Sequence, residues 1–218
     1  MYYTLVASLP RLPYFERAER APITHLRLEQ RLRMLESEDA WQLDRARTLA
    51  GWRMLSERPR TDAEMAAQFH IALQATEHPA LREFIEFRMD QQTILSGFRC
   101  RRAGLGAPTG DQTWGAGRWV RRIEQHWDDP DFRLASMYPW VPEARAFIEG
   151  NDAAGLERLL MSIIWRRLSR IAESNLFGFE AVFAYVFKWD ILQAWLVRNA
   201  EGGKKRFQEL IKGVKHGH

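Results

Sequence analysis

The stretch MDQQTILSGFRCRRAGLG, residues 89–106, shows most clearly how the chain folds. Apolar side chains recur along it at helical spacing and lead into a cluster of three arginines, Arg99, Arg101 and Arg102. Cations are favourable in the last turn of a helix, because the unpaired carbonyls there carry partial negative charge. Gly104 follows at once, and a glycine just beyond a helix commonly takes the left-handed capping conformation. Pro79 suits a first helical turn, so the pattern predicts one long helix from Pro79 to Arg102.

The arginine cluster has three possible roles. It can be only the end of a helix, which local physics explains without any ligand. It can also contact acidic groups on a protein partner. The third role is binding of nucleic acid, together with a second cluster after the glycine-rich segment, Arg118, Arg121 and Arg122. No known nucleic-acid-binding motif or alternation of aromatic and basic residues accompanies either cluster. We therefore favour the helix end, with a partner role left open.

Helical patterns dominate the chain after residue 10. Thr61 and Glu64 have the spacing of a capping box, which predicts a helix that begins there and ends before Pro79. Strand patterns are nearly confined to Tyr2–Leu9, which we expect to form a short strand or an extended arm. The predicted fold class is therefore all-α, a multi-helix assembly in two layers or lobes with a short extended N-terminal segment.

The clearest boundary lies at AGLGAPTGDQTWGAG, residues 103–117, which contains five glycines and one proline. Glycine and proline are the strongest local interruptions of regular structure. The segment predicts an N-terminal helical lobe over residues 1–104, a glycine-rich linker over 105–117 and a C-terminal helical lobe over 118–218. One integrated domain remains the alternative to two lobes.

The C-terminal half predicts short helical pieces around Phe132–Tyr138 and Glu143–Ile148, followed by two long helices and a short last one. Asn151 or Asp152 is expected to cap the first, the second covers Phe179–Val197, and the last covers Lys204–Val214. The longest apolar run, Leu176–Val197, contains Glu180, Lys188 and Asp190, and such charges are costly at the centre of a membrane. It predicts a buried helix rather than a membrane span. Aromatic residues are dense here and indicate either a core or a partner surface; the candidates for a partner contact are Trp189 and Trp195.

The composition fits a folded protein without a disulfide. Hydrophobic residues make up 46% and charged residues 28%, which excludes a disordered chain. Cys100 is the only cysteine, so we expect a reducing, cytoplasmic location. The net charge of +4 divides evenly, +2 in residues 1–110 and +2 in residues 111–218, unlike the concentrated patch of a phosphate binder.

No serine-nucleophile, phosphate-loop or dinucleotide-loop motif is present. We predict no catalytic activity and no cofactor.

One acidic stretch resembles a metal site. Glu124–Asp131 brings carboxylates close to His126. However, Glu124 and His126 would lie on different sides of a helix, and no second histidine follows at the spacing of a zinc-binding helix. Acidic residues around Pro130 are equally typical of a helix exit followed by an N-cap. We predict no metal there, and a metal-dependent enzyme is the least favoured alternative.

Three segments resemble a known group of proteins. The opening MYYTLVASLPRLPYF and the ending Phe177–Ile211 are similar to those of a bacterial family encoded among the subunits of V/A-type rotary ATPases. In addition, Asp90, Ile94 and the arginines up to Gly104 resemble a helix motif of the all-helical central-stalk protein of these ATPases. Gln92 stands where that motif has asparagine, and this chain is shorter than the central-stalk protein, which is built of three helical lobes.

The resemblance implies a helical socket without chemistry of its own, which joins the rotating shaft to the membrane ring. Its partners would be other ATPase subunits and not nucleic acid, and it would lie at the inner face of the cell membrane without spanning it. The arginines of both clusters, Trp189 and Trp195 would then be partner-binding residues. The alternative function is a small helical nucleic-acid-binding or regulatory protein that uses the arginine clusters.

Overall fold

The computed structural model describes residues 1–50, 61–108 and 114–215; at Leu49, Asp62 and residues 201–215 it describes the backbone alone. Within these residues every regular element is a helix, which confirms the all-α class. The α-helices of the described residues are α1 (Tyr3–Ser8), α2 (His25–Leu32), α3 (Ser37–Ala50), α4 (Asp62–Ala75), α5 (Pro79–Arg102), α6 (Val120–Gln125), α7 (Val141–Glu149), α8 (Ala153–Ser174) and α9 (Phe179–Lys215). A short 3₁₀ helix, Phe15–Arg17, follows α1.

The N-terminal segment differs from the prediction. Tyr3–Ser8 is helix α1, so the expected strand or extended arm is wrong for these residues. A lone strand would leave its backbone groups unpaired, because no other strand is present among the described residues to bond with it. The helix satisfies them locally and turns Leu5 into the core. Residues 10–14, which have no regular structure, then lead into the 3₁₀ helix.

Helix α5 is the central element of the described structure. It packs against α3, α4, α6, α7 and α9, and its buried residues lie on all of its faces. It begins with Pro79 in its first turn and ends at Arg102, as predicted. Gly104 has a positive φ of 74°. Its N–H donates to the Arg101 carbonyl at 3.0 Å, and the Leu105 N–H donates to the Cys100 carbonyl at 3.1 Å. This is the Schellman arrangement of a glycine-capped helix end.

The capping predictions for α4 and α8 are also confirmed. Thr61 and Glu64 form both hydrogen bonds of the capping box at the start of α4. At the start of α8, the Asp152 side chain accepts a hydrogen bond from the Gly155 N–H at 2.8 Å. The near-helical spacing of apolar residues predicts a helix over Glu38–Leu55; part of this segment lies outside the described residues, and α3 is described as far as Ala50.

The two longest C-terminal helices, α8 and α9, pack along each other after a tight turn over residues 175–178. Helix α9 continues unbroken to Lys215, so the prediction of a separate helix from Lys204 is wrong. Gly202 and Gly203 weaken a helix by about 1 kcal/mol each relative to alanine, yet they retain the N–H groups that the helix needs. None of the described helices combines the length and apolarity that crossing a bilayer would require.

One hydrophobic core extends over both sides of the glycine-rich segment. Trp114 and Ala116 are buried in it, and the Thr93 side chain of α5 holds this part of the chain. The Thr93 hydroxyl donates to the Ala116 carbonyl at 2.7 Å and accepts from the Ala116 N–H at 3.0 Å. Residues 114–117, which the sequence assigned to a linker, are therefore packed onto α5. Buried residues on both sides of the glycine-rich segment thus belong to one core.

Candidate partner interface

Arg101 fixes a neighbouring turn of the protein. Its guanidinium donates to three backbone carbonyls beyond α6, at 3.1 Å to Trp127, 2.8 Å to Asp129 and 2.7 Å to Pro130. It also lies over the Phe132 ring, 4.7 Å from the centroid. Burial is the largest influence on the pKa of Arg101 and lowers it. Arg101 is therefore committed to contacts within the chain.

The turn that Arg101 holds replaces a predicted element. We expected a short helical piece around Phe132–Tyr138, but the described chain has turns there. Phe132 and Arg133 have positive φ values of 51° and 53°, a conformation that no right-handed helix contains. The Phe132 side chain is fully buried and stacks on Phe98 of α5 at 4.7 Å. This contact between distant segments outweighs the local helical tendency.

Arg102 lies at a small cavity near the end of α5. The cavity has a volume of about 220 Å³, and its cationic lining residues are Arg101, Arg102 and Arg145. Arg102 donates to the Asn151 side-chain oxygen at 3.0 Å. Arg145 lies 3.7 Å from Asp131 and 3.7 Å from Glu149. The sequence pattern did not indicate Arg145, because it lies far from Arg101 along the chain. The two side chains come close only in the folded protein.

Arg118 pairs with a buried carboxylate. Its guanidinium donates to Asp90 Oδ2 at 3.1 Å from Nε and 2.7 Å from Nη2. The Tyr138 hydroxyl donates to the same oxygen at 2.7 Å. The Asp90 side chain is 1% exposed, whereas that of Arg118 is 61% exposed. Arg118 therefore neutralises the Asp90 carboxylate from the protein surface. The Arg118 side chain itself remains largely accessible to solvent.

The remaining cluster arginines differ in their accessibility. Arg99 and Arg121 are exposed. Arg122 is half-buried and donates to the Arg133 carbonyl at 3.0 Å. The exposed cluster members are thus Arg99, Arg102, Arg118 and Arg121, while Arg101 and Arg122 support the chain around α6.

The two predicted tryptophans lie in or against the core. Trp189 is 3% exposed, and its Nε1 donates to the Ile23 carbonyl at 3.0 Å. A partner cannot reach it, so its assignment as a partner-binding residue is wrong. Trp195 is half-buried, and its ring meets Phe15 edge-on at 5.1 Å. The apolar face of α9 is covered by the chain's own N-terminal segment, which sequence spacing alone could not show.

An exposed apolar patch lies where α1 meets the α8–α9 turn. We define the N-terminal patch as four residues, Met1, Tyr3, Leu176 and Phe177. Tyr3 is 58% and Leu176 61% exposed. The Tyr3 and Phe177 rings lie 4.8 Å apart, and the Tyr2 N–H donates to the Phe177 carbonyl at 2.6 Å. Grouped apolar side chains at the surface mark interaction sites more often than scattered ones do. The sequence pattern missed this patch because its halves come from opposite ends of the chain.

The acidic stretch Glu124–Asp131 is used for contacts within the protein. Glu124 accepts a hydrogen bond from Trp114 Nε1 at 3.0 Å. His126 Nδ1 lies 3.1 Å from Asp129, which also pairs with Arg133 at 2.8 Å. In the part of the chain that the structure describes, no three His, Cys, Asp or Glu side chains are grouped so as to hold a metal ion.

Comparison of the chain with models of known protein families identifies its family. Residues 47–218 match the model of the family described as "Protein of unknown function (DUF2764)", and the chain therefore belongs to that family. No curated protein and no solved structure matches the chain.

Proposed function

We propose that the protein is a non-catalytic subunit of a V/A-type rotary ATPase, which couples the central shaft to the membrane ring. It acts through contacts with other subunits at the cytoplasmic face of the membrane and has no span of its own. The basis is the resemblance of its opening and its Phe177–Ile211 segment to proteins encoded with such ATPases, together with the all-α fold.

One observation carries the proposal. The opening and the ending, two of the three segments that bear the resemblance, lie against each other and contribute Met1, Tyr3 and Phe177 to the N-terminal patch. Besides the Tyr2–Phe177 backbone bond, the Tyr185 hydroxyl donates to the Pro10 carbonyl at 2.9 Å. Interfaces between proteins concentrate aromatic residues at their centres. An interface with a neighbouring ATPase protein at this surface would use two of the segments that bear the resemblance.

The arginines have a secondary role in this proposal. Arg101 and Arg122 bind backbone carbonyls, and Arg118 pairs with Asp90, so these three first stabilise the fold. Arg99, Arg102 and Arg121 are exposed and available to acidic groups of a neighbouring protein. Exposed ion pairs contribute little to affinity and mainly guide association. The patch, rather than the arginines, would supply most of the binding energy.

The test is affinity purification of the tagged protein from its native host after mild detergent extraction. The complex is washed at high salt, and the retained proteins are identified by mass spectrometry. Recovery of ATPase catalytic and ring subunits is the expected result. Recovery of the protein alone, or with nucleic acid that salt removes, would contradict the proposal and favour the nucleic-acid-binding alternative, because phosphate contacts weaken steeply with salt.

A further inference from the structure

A groove separates the N-terminal segment from α8 and α9. Its volume is about 610 Å³, within the range of roughly 300–1,000 Å³ that small-molecule sites occupy. Aliphatic side chains form much of its wall: Val6, Leu9, Leu12, Ala172, Leu176 and Ala181. Lys188 of α9 also lines the groove and is half-buried. The groove thus combines a long apolar wall with a single partly buried ammonium group.

The ammonium group of Lys188 is the partly buried cation of the groove. No carboxylate of the described residues lies within 4.0 Å of it, and its nearest identified contact is the Trp165 ring, 5.7 Å from the centroid. The two phenols of the groove have partners: Tyr14 bonds with the Ser162 hydroxyl at 2.9 Å, and Tyr185 donates to Pro10. Burial lowers the pKa of Lys188. A half-buried ammonium group is less well solvated than one at the open surface, so an anionic group that fits here gains a strong contact.

The charges around the groove restrict the anion. Glu173 and Arg11 also line it and are exposed at its rim. Glu173 attracts Lys188 and would repel a head group with several negative charges. A singly charged head with an unbranched apolar tail fits both the ammonium and the aliphatic wall. Each methylene of the tail that is removed from water would tighten binding about fourfold.

We propose that this groove binds one long-chain monocarboxylate, a fatty acid, with its carboxylate paired to Lys188 and its chain along the aliphatic wall. The groove opens beside the N-terminal patch, since Leu176 belongs to both. Binding of a fatty acid in this groove would not require any contact with an ATPase.

The experiment titrates the purified full chain with palmitate carrying ¹³C at the carboxyl carbon, below its micelle concentration, and records the carboxyl resonance by NMR. We expect saturable binding of one equivalent. Lys188→Met should weaken it about ten- to hundredfold, as expected for loss of a charge-assisted bond. Ala181→Phe, which fills the groove and leaves Lys188 in place, should also weaken it. Glu173→Gln should tighten it.

The matched control is Arg170→Gln, which removes one exposed positive charge from α8 outside the groove lining. It should bind palmitate like the wild type. Hexadecanol, with the same chain and no charge, should bind more weakly than palmitate. Absence of saturable binding would overturn the proposal. Equal affinity of the wild type, Lys188→Met and Ala181→Phe, with all three folded by circular dichroism, would overturn it as well.

Discussion

The guanidinium of Arg47 and the carboxylate of Asp190 form two parallel hydrogen bonds that join α3 to α9 inside the protein. Arg47 Nε lies 2.8 Å from Asp190 Oδ2, and Nη2 lies 2.7 Å from Oδ1. Asp190 is 1% exposed, and Arg47 also pairs with Glu29 at 2.8 Å. Burial is the largest single influence on the pKa of Arg47 and lowers it, but the hydrogen bonds and charges of Asp190 and Glu29 together raise that pKa above its ordinary value. A buried charge on α9 is thus neutralised by a helix from the N-terminal part of the chain.

Removing one partner of this pair should destabilise the protein strongly. Arg47→Met leaves the Asp190 carboxylate buried and uncompensated, which costs about 3–5 kcal/mol. The double variant Arg47→Met/Asp190→Leu should recover much of this loss, because it removes both charges. The measurement is the free energy of unfolding in urea for the wild type, both single variants and the double variant. Additive losses in this cycle would contradict the assigned pairing.

The arginine cluster at the end of α5 should divide into structural and surface members. Arg101→Met removes three bonds to backbone carbonyls and should lower the free energy of unfolding by about 2–3 kcal/mol. Arg99→Met, on the same helix turn, removes an exposed charge. It should change the free energy of unfolding by less than about 0.5 kcal/mol. Thermal and urea unfolding of the two variants provide the comparison. Equal small effects would show that Arg101 does not hold the turn.

The glycine cap of α5 offers a matched pair of alanine substitutions. Gly104 has a φ of 74° with no atom near an added Cβ, so Gly104→Ala should cost about 1–2 kcal/mol from backbone conformation alone. Gly106 is equally open but has no positive φ in the left-handed range. Gly106→Ala should be neutral or stabilise the protein by up to about 1 kcal/mol. Urea unfolding measures both, and a stabilised Gly104→Ala would contradict the cap geometry.

Three of the five tyrosines, Tyr2, Tyr138 and Tyr185, have a pKa raised mainly by burial, and two of them should ionise especially late. Burial is the main cause that raises the pKa of Tyr2 and of Tyr185 to about 12. Since the folded-state pKa lies above the ordinary value near 10, their contribution to stability is complete below about pH 10 and is lost as the pH rises through about 12. Titration by near-ultraviolet absorbance should show a late phase. Tyr2→Phe and Tyr185→Phe should each reduce its amplitude, and an unchanged phase in both variants would contradict the assignment.

Local signals predicted much of the helical framework. The capping box at Thr61, Pro79 in a first turn and Gly104 at a helix end each act through nearby backbone groups, and all three occur as expected. Such effects depend on a few neighbouring residues, so they can be predicted from the local sequence alone. The helix at Tyr3–Ser8 was missed because a short segment takes its conformation from what it packs against.

The candidate site was harder to predict because it depends on long-range packing. Trp189 was a candidate for a partner contact, with the core as the alternative, and in the structure it is buried and donates to the Ile23 carbonyl. The N-terminal patch joins Tyr3 to Phe177, and the groove joins Leu9 to Lys188, from opposite ends of the chain. Periodicity shows which face of a helix is apolar, but not which distant segment covers it. Only the three-dimensional arrangement shows which apolar residues stay exposed.

The N-terminal patch is the surface through which we propose that this protein joins a rotary ATPase. The most direct measurement compares the amounts of ATPase catalytic and ring subunits that co-purify, at high salt, with three versions of the tagged protein in its native host. These are the wild type, Tyr3→Ser/Phe177→Ser, and a control that removes two exposed apolar side chains elsewhere, Trp41→Ser/Ile71→Ser. We expect the wild type and the control to retain the subunits and the patch variant to lose most of them. Equal retention by the patch variant and the wild type, or no ATPase subunits with any version, would contradict the proposal.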